Sequence, residues 1–162
     1  MMYFEIFVIL FFIGCITISY LIEKVSNKYT KISFKESLDL VDLPIITFKV
    51  GNEKLNFMLD SGANLSVINE TILPNIEHIL TNKIGTIFGM EGNIQKVRYA
   101  KLTLQYKNSI YTDEMQVLNM DNSFSNLKKE SGVTVHGILG NNFFQKYKYV
   151  LDFKELVAFS KI

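Results

Sequence analysis

A hydrophobic stretch that runs straight into an acidic residue constrains the fold of this chain more than any other feature. Residues 53–59 predict a strand, and the next four residues read Asp-Ser-Gly-Ala. A buried ionised carboxylate is costly unless it is hydrogen-bonded or shares a proton, so Asp60 needs a partner. Ser61 places a hydroxyl beside it, and Gly62 lets the backbone turn tightly and approach a ligand or a second chain. An ordinary strand that ends in an Asp-Ser-Gly turn would give the same tripeptide.

A second apolar segment that ends in glycine lies far downstream. Residues 136–140 read His-Gly-Ile-Leu-Gly, and residues 142–148 predict a short helix with aromatic side chains on one face. Together with the Asp-Ser-Gly-Ala stretch, this segment resembles the retropepsin-like aspartic peptidases, which carry these motifs in the same order. The resemblance covers roughly residues 38–160, and residues 150–153, Val-Leu-Asp-Phe, are similar to the bacterial members of the family.

The resemblance implies a role for each motif. Asp60 would be the catalytic residue, and Ser61, Gly62 and Ala63 would shape the loop that carries it. The downstream apolar strand would cross beside this loop and support it by packing, through Ile138, Leu139 and Gly140. A catalytic role for the neighbouring His136 is the weaker interpretation, because this chemistry uses carboxylates.

Two strand-like arms surround a glycine-rich tip at residues 84–97. In the resembled family the hairpin at this position is a flap that closes over the substrate. Glycines would give it hinge freedom and apolar residues would cover a bound peptide. The residues expected to do so are Phe88, Gly89, Met90 and Gly92. An ordinary hairpin is the alternative interpretation.

The single Asp-Ser-Gly motif predicts that the active site is shared between two chains. Peptide hydrolysis by this route needs two carboxylates, one ionised to activate water and one protonated to hydrogen-bond to the substrate carbonyl. Residues 38–162 hold one copy of the motif and are too few for two lobes. A homodimer with one Asp60 from each subunit would complete the dyad on a twofold axis, and the substrate would be an extended polypeptide laid between the subunits.

Composition excludes several other classes of function. The net charge is +1, which does not suggest a nucleic-acid partner. The one cysteine, Cys15, excludes an intrachain disulfide and a cysteine-based metal site, and the two histidines, His78 and His136, do not have metal-ligand spacing. No metal or organic cofactor is expected, since the family chemistry requires none.

The first 22 residues predict a membrane helix. Residues 6–22 are uncharged and mostly apolar, and with the flanking residues they are long enough to cross a hydrocarbon core. A cleaved signal peptide lacks support because no basic region precedes the stretch, and a lipoprotein signal at Cys15 lacks support because apolar residues continue beyond it. Lysines follow the helix and none precedes it, which favours a cytoplasmic domain on a single-pass protein. These lysines are Lys24, Lys28, Lys31 and Lys35.

The remaining pattern predicts an all-β, single-lobe barrel with one short C-terminal helix. Residues 23–37 are expected to be a linker and residues 38–162 the domain. Besides the two arms of the hairpin at residues 84–97, strands are expected over residues 40–50, 53–59, 66–69, 98–106, 110–120, 133–139, 149–153 and 156–159. Residues 121–132 are expected to be a loop. Asp113 and Asp121 are interpreted as surface carboxylates, and Asp152 as structural.

Three hypotheses about function follow from these patterns. The first is a membrane-anchored, homodimeric aspartic endopeptidase. The second is a catalytically silent domain of the same fold, used for dimerisation or peptide binding. The third is an unrelated membrane-anchored β domain without chemistry.

Overall fold

The computed structural model of the chain describes residues 11–19, 30–88 and 94–160. The chain divides into two units, residues 1–30 and residues 31–162. In the first unit residues 11–19 are helical. No helix within the described ranges has the length and apolar character needed to cross a membrane. Most of the segment predicted to cross a membrane, residues 1–22, lies outside those ranges.

The second unit is mostly β, with short helices between the strands. Its strands are β1 (Ile32–Ser33), β2 (Ile45–Val50), β3 (Glu53–Leu59), β4 (Val67–Asn69), β5 (Ile79–Phe88), β6 (Ile94–Tyr106), β7 (Ser109–Leu118), β8 (Gly137–Leu139), β9 (Tyr149–Asp152) and β10 (Val157–Ser160). Its α-helices are α1 (Lys35–Val41), α2 (Ser125–Ser131) and α3 (Asn141–Tyr147), and a 3-10 helix spans Glu70–Asn75.

Six of the strands close into a barrel. The sheet order is β2-β3-β8-β4-β7-β6-β5, and β2 also pairs with β6 through Lys49 and Gln105, so that β5 is left outside the ring. β8 runs parallel to β3 and antiparallel to β4, and β4 runs parallel to β7. The ring therefore places the end of β3, which leads into Asp60, between the two short strands β8 and β2.

The first and last strands of the unit form a separate sheet. Its order is β1-β10-β9, and in it Ile32 pairs with Ala158. Phe34, directly after β1, is buried at 1 % exposure and its backbone N–H donates to the carbonyl of Leu156 at 3.0 Å. This small sheet fastens both ends of the folded unit to each other.

Aromatic side chains fill the centre of the barrel. Phe143 of α3 is fully buried, and its ring centroid lies 5.6 Å from that of Tyr111, 5.0 Å from that of Tyr147 and 5.1 Å from that of Tyr149. Phe48 of β2 is also fully buried and contacts Phe143 edge-on. Aromatic rings bury a large apolar area and prefer such inclined contacts, so α3 is attached to the barrel by its apolar face.

The predicted C-terminal helix, the closing β9–β10 hairpin and most of the predicted strands are confirmed. The prediction of a single short helix was wrong. Residues 40–44 were expected to begin a strand, but α1 occupies residues 35–41, and Ser37 then fixes the chain by accepting the N–H of Ile45 at 2.9 Å. The expected loop at residues 121–132 contains α2. Neither helix has a fully buried residue, so neither shows the strong apolar periodicity by which helices are recognised in a sequence.

Replacing Phe143 tests the contribution of this aromatic core. We expect Phe143→Ala to lower the free energy of unfolding by about 3–5 kcal/mol, because it removes a buried ring and leaves a cavity among neighbours that cannot collapse completely. Urea denaturation followed by circular dichroism measures the change. Leu40→Ala is the matched control: Leu40 is 59 % exposed on α1, so its loss should change stability by less than about 0.5 kcal/mol. Equal effects of the two substitutions would contradict the assignment of Phe143 to the core.

Candidate active site

The loop that carries Asp60 begins where β3 leaves the sheet. Leu59 still pairs with Leu139 of β8, and its N–H donates to the carbonyl of Pro44 at 2.9 Å. The N–H of Asp60 then donates to the carbonyl of Leu139 at 3.0 Å. The backbone of Asp60 is therefore held by the same strand that flanks β3, whereas its side chain lies at the half-buried edge of the barrel.

Asp60 closes a tight turn on itself. Its Oδ1 accepts the N–H of Gly62 at 2.8 Å, and its carbonyl accepts the N–H of Ala63 at 3.2 Å. Ser61 and Gly62 are exposed and Ala63 is partly buried. An aspartate that hydrogen-bonds to the backbone two residues on is a common turn, and here it fixes the direction of the carboxyl group.

The first residues of α3 also hydrogen-bond to this loop. The N–H of Asn141 donates to the carbonyl of Ala63 at 2.8 Å, and the N–H of Asn142 donates to that of Asn64 at 3.2 Å. The side-chain amide of Asn141 donates to the carbonyl of Ser61 at 2.8 Å. A Cβ atom on Gly140 would lie only 2.8 Å from the carbonyl oxygen of Ala63, so this close approach requires glycine. The structure thus places Ile138, Leu139 and Gly140 beside the loop from residue 60 to residue 66.

A buried polar network adjoins this loop, and the sequence analysis missed it. Asn142 Oδ1 accepts the N–H of Ser66 at 2.7 Å and the Ser66 hydroxyl at 3.0 Å. Asn142 Nδ2 donates to both carboxylate oxygens of Asp113, at 3.1 and 3.3 Å. Gly140 donates its N–H to the Ser66 hydroxyl oxygen at 3.2 Å. Three segments, β7, α3 and the catalytic loop, therefore meet at one asparagine side chain.

The interpretation of Asp113 as a surface carboxylate was wrong. Asp113 is 3 % exposed, and burial raises the pKa of its carboxyl group, while the polar groups of Ser66, the backbone of Glu114 and Asn142 and the charge of Lys146 act in the opposite direction. A sequence signal for this burial existed. In a strand every second residue shares a face, and Asp113 therefore lies on the same face of β7 as the buried Tyr111 and Met115.

His136 contributes to the backbone pairing. Its Nδ1 accepts the N–H of Asn56 at 3.0 Å, so that nitrogen carries no proton. The backbone N–H of His136 donates to the carbonyl of Asn56 at 2.9 Å, and the backbone carbonyl of His136 accepts the N–H of Asn69 at 2.8 Å. Burial lowers the pKa of the imidazole, which favours the neutral form that this hydrogen bond needs. His136 therefore ties β3 to β4 at the base of the site.

The hairpin interpreted as a flap is formed by β5 and β6. Thr86 pairs with Lys96 and Phe88 with Ile94, and the register shifts between Thr81 and Ile84. The tip residues Gly89, Met90 and Gly92 lie outside the described residues. The hairpin itself is confirmed, and its action as a flap stays a prediction.

Other aspartates near the barrel have structural partners. Asp121 accepts from the side chains of Asn69 and Thr71 at 2.7 and 3.0 Å, and Asp152 Oδ1 accepts backbone N–H groups in the β9–β10 turn. No group of three potential metal ligands occurs in the described part of the chain. A cavity of about 500 Å³ lies between β2, β6 and the residues after the 3-10 helix, and no residue of the catalytic loop lines it.

Comparison with known proteins agrees with this geometry. The family model for the retroviral aspartyl protease matches residues 41–152, a range that includes the Asp60 loop, the β5–β6 hairpin, β8 and α3. A comparison with curated proteins found no match. The matched range contains the motifs from which the resemblance to retropepsin-like peptidases was inferred, and it excludes an unrelated β domain. The chain belongs to the retroviral aspartyl protease family.

Proposed function

We propose that this protein is an aspartic endopeptidase whose active site is completed by a second copy of the chain. The observation that carries the proposal is the Asp60 turn: a half-buried carboxyl group fixed by the N–H of Gly62, at the edge of the barrel, within a family of aspartyl proteases. Two such carboxyl groups about 3 Å apart would share one proton, because two like charges at that distance cannot both ionise. The ionised partner would activate water, and the protonated partner would hydrogen-bond to the substrate carbonyl.

A second chain is supported by the single Asp-Ser-Gly motif and by the partners of the other aspartates in the barrel and its turns. Asp113, Asp121 and Asp152 each hydrogen-bond to groups other than Asp60. The second catalytic carboxylate would therefore be Asp60 of a twofold-related subunit. The exposed Ser61 and Gly62 are suited to contact that subunit. By resemblance, the Ser61 hydroxyl would hydrogen-bond across the dimer.

The proposed substrate is an extended polypeptide between two subunits. The β5–β6 hairpin of each subunit would cover it as a flap, with Phe88, Gly89, Met90 and Gly92 at or near its tip. Backbone hydrogen bonds would provide affinity and side-chain pockets would provide selectivity. Hydrolysis by a carboxylate dyad uses no metal or organic cofactor.

The substitution Asp60→Asn tests the chemistry. We expect it to lower the rate of cleavage of an unstructured protein substrate by about 10²–10⁴-fold or more, the scale on which general acid–base groups act. The assay is a time course with the full chain from acidic to neutral pH, with mass-spectrometric mapping of the cut sites. Ser123→Ala, in an exposed turn far along the chain, controls for the effect of an ordinary polar substitution. If the folded, dimeric parent and Asp60→Asn were both inactive, the silent binding domain would replace the peptidase as the proposed function.

Mixing active and inactive subunits tests the shared dyad. If each site needs two Asp60 residues, random association of equal amounts of parent and Asp60→Asn chains leaves about one dimer in four active. Chains produced together in equal amounts with the same tag, and purified as one pool, should then show about 25 % of the activity of the parent at equal total concentration. Activity of about 50 % would indicate that each chain works alone, and would contradict the shared site.

We also propose that the N-terminal segment anchors the enzyme in a membrane, with the peptidase domain on the cytoplasmic side. The support is the uncharged stretch of residues 6–22 and the lysines that follow it. Confining two chains to one bilayer would raise their effective concentration for dimerisation.

Membrane fractionation tests the anchor. The full chain is expected to sediment with membranes and to resist extraction by alkaline carbonate. Ile13→Lys, near the middle of the apolar stretch, should shift much of the protein to the supernatant, because a lysine at the centre of a membrane helix costs about 2.5–3.5 kcal/mol. Ile13→Leu is the matched control and should fractionate as the parent does. Recovery of the parent in the soluble fraction would contradict the anchor.

A further inference from the structure

We propose that Asp113 is a positioning residue for the peptidase reaction, which acts through Asn142 to hold the loop that carries Asp60. The inference rests on the proposed peptidase function for its kinetic consequences. Its structural part, the ordering of the loop by Asp113, does not depend on that function.

The orientation of the Asn142 amide follows from its neighbours. The backbone N–H of Ser66 can only donate, and it lies 2.7 Å from one terminal atom of the amide, which must therefore be the oxygen. The amino group then faces the carboxylate of Asp113, and both carboxylate oxygens accept from it. Asp113 thereby fixes the orientation in which the amide oxygen of Asn142 can hold Ser66.

The Asn142 side chain holds the far end of this loop together with the backbone N–H of Gln116, which donates to the Ser66 carbonyl at 2.9 Å. The loop begins at Asp60, whose N–H donates to the carbonyl of Leu139. It ends at Ser66, which is fully buried and whose N–H donates to the side-chain oxygen of Asn142. Ser66 also accepts the N–H of Gly140, so its hydroxyl links the loop to the end of β8. A shift of Asn142 would release both hydrogen bonds that Ser66 donates, whereas the bonds that Ser66 accepts from Gly140 and Gln116 would remain.

The same helix is anchored to β7 next to Asp113. The hydroxyl of Tyr147 accepts the N–H of Thr112 at 2.6 Å and donates to its carbonyl at 2.7 Å, and Lys146 Nζ also donates to that carbonyl. α3 is thus fixed to β7 at two successive residues, Thr112 and Asp113. The helix transmits the position of β7 to the loop.

A carboxylate is a costly choice for this buried position unless its acceptor strength is used. Hydrogen bonds to ionised acceptors are roughly twice as strong as neutral ones, and both oxygens of the Asp113 carboxylate lie within hydrogen-bonding distance of the Asn142 amino group. An asparagine at position 113 would offer one acceptor oxygen instead of two. The geometry therefore identifies acceptance from Asn142 as the task of Asp113.

Reversing the pair tests the proposal. Asn142→Asp places two carboxylates against each other, so we expect kcat to fall by about 10- to 100-fold, the effect of a displacement of about 1 Å at a catalytic group. Asp113→Asn alone removes one acceptor and should have a smaller effect. The double variant Asp113→Asn/Asn142→Asp restores a donor opposite a carboxylate and should return kcat to within about threefold of the parent, a coupling that a double-mutant cycle measures.

Two readouts separate positioning from general destabilisation. Kinetics are measured where urea denaturation shows each variant to be folded, and the loss is expected in kcat more than in KM. Hydrogen–deuterium exchange of peptides covering residues 60–66 should speed up in Asn142→Asp and slow again in the double variant. Asn69→Asp, which places a carboxylate against Asp121 in the same way, is the matched control and should leave the exchange of residues 60–66 unchanged.

Each outcome decides between the alternatives. Unchanged kcat and unchanged exchange of residues 60–66 in folded Asn142→Asp would overturn the proposal, as would a folded double variant that is as impaired as Asn142→Asp. If Asn142→Asp does not fold, recovery of both folding and activity in the double variant supports it. In one further outcome the parent cleaves no substrate, while exchange of residues 60–66 still speeds up in Asn142→Asp and slows again in the double variant. That result would contradict the peptidase function and support the ordering of the loop by Asp113.

Discussion

The close crossing of β8 with the loop that carries Asp60 is the constraint on which the rest of the candidate site depends. β8 has only three residues, yet it pairs with β3 on one side and β4 on the other, and its final carbonyl receives the N–H of Asp60. A Cβ on Gly137 would lie 2.5 Å from the carbonyl oxygen of Val67, and one on Gly140 would lie 2.8 Å from that of Ala63. Glycine at both ends of the strand lets three backbone segments approach to hydrogen-bonding distance, and side chains there would separate them.

This constraint explains why the central features were visible in the sequence. The two motifs are local: an apolar strand before Asp60, and a short apolar strand bounded by glycines before an amphipathic helix. Each pattern reports the burial of its own segment, and the order of the segments fixes their pairing once the family is recognised. The packing of the Asp60 loop against β8 and α3 was predictable because these two segments supply most of its contacts.

The features that sequence analysis missed depend on contacts between distant segments. α1 and α2 have no fully buried residues, so neither shows a helical apolar face. The apolar alternation of residues 40–50 suggested a strand that began inside α1, and the polarity of residues 121–132 suggested a loop. Asp113 is polar in a stretch that otherwise reads as an ordinary strand, and its partner Asn142 is 29 residues away. The alternation of β7 places Asp113 on the inward face, but only the folded chain shows that the side-chain amide of Asn142 lies there as a hydrogen-bond donor. The charge of an aspartate side chain suggested a surface position for Asp113, but its hydrogen bond to Asn142 of α3 allows it to be buried.

The pairing of the first strand with the last has a consequence for how the domain is made. Ile32 pairs with Ala158, so β1 has no partner until nearly the whole chain has left the ribosome. The barrel strands from β2 to β7 are joined by short connections and can pair as they emerge, whereas closing the loop between residues 32 and 158 comes with the largest entropic penalty in the unit. Truncation that removes β10 would therefore also leave β1, at the N-terminal end of the domain, without its partner strand.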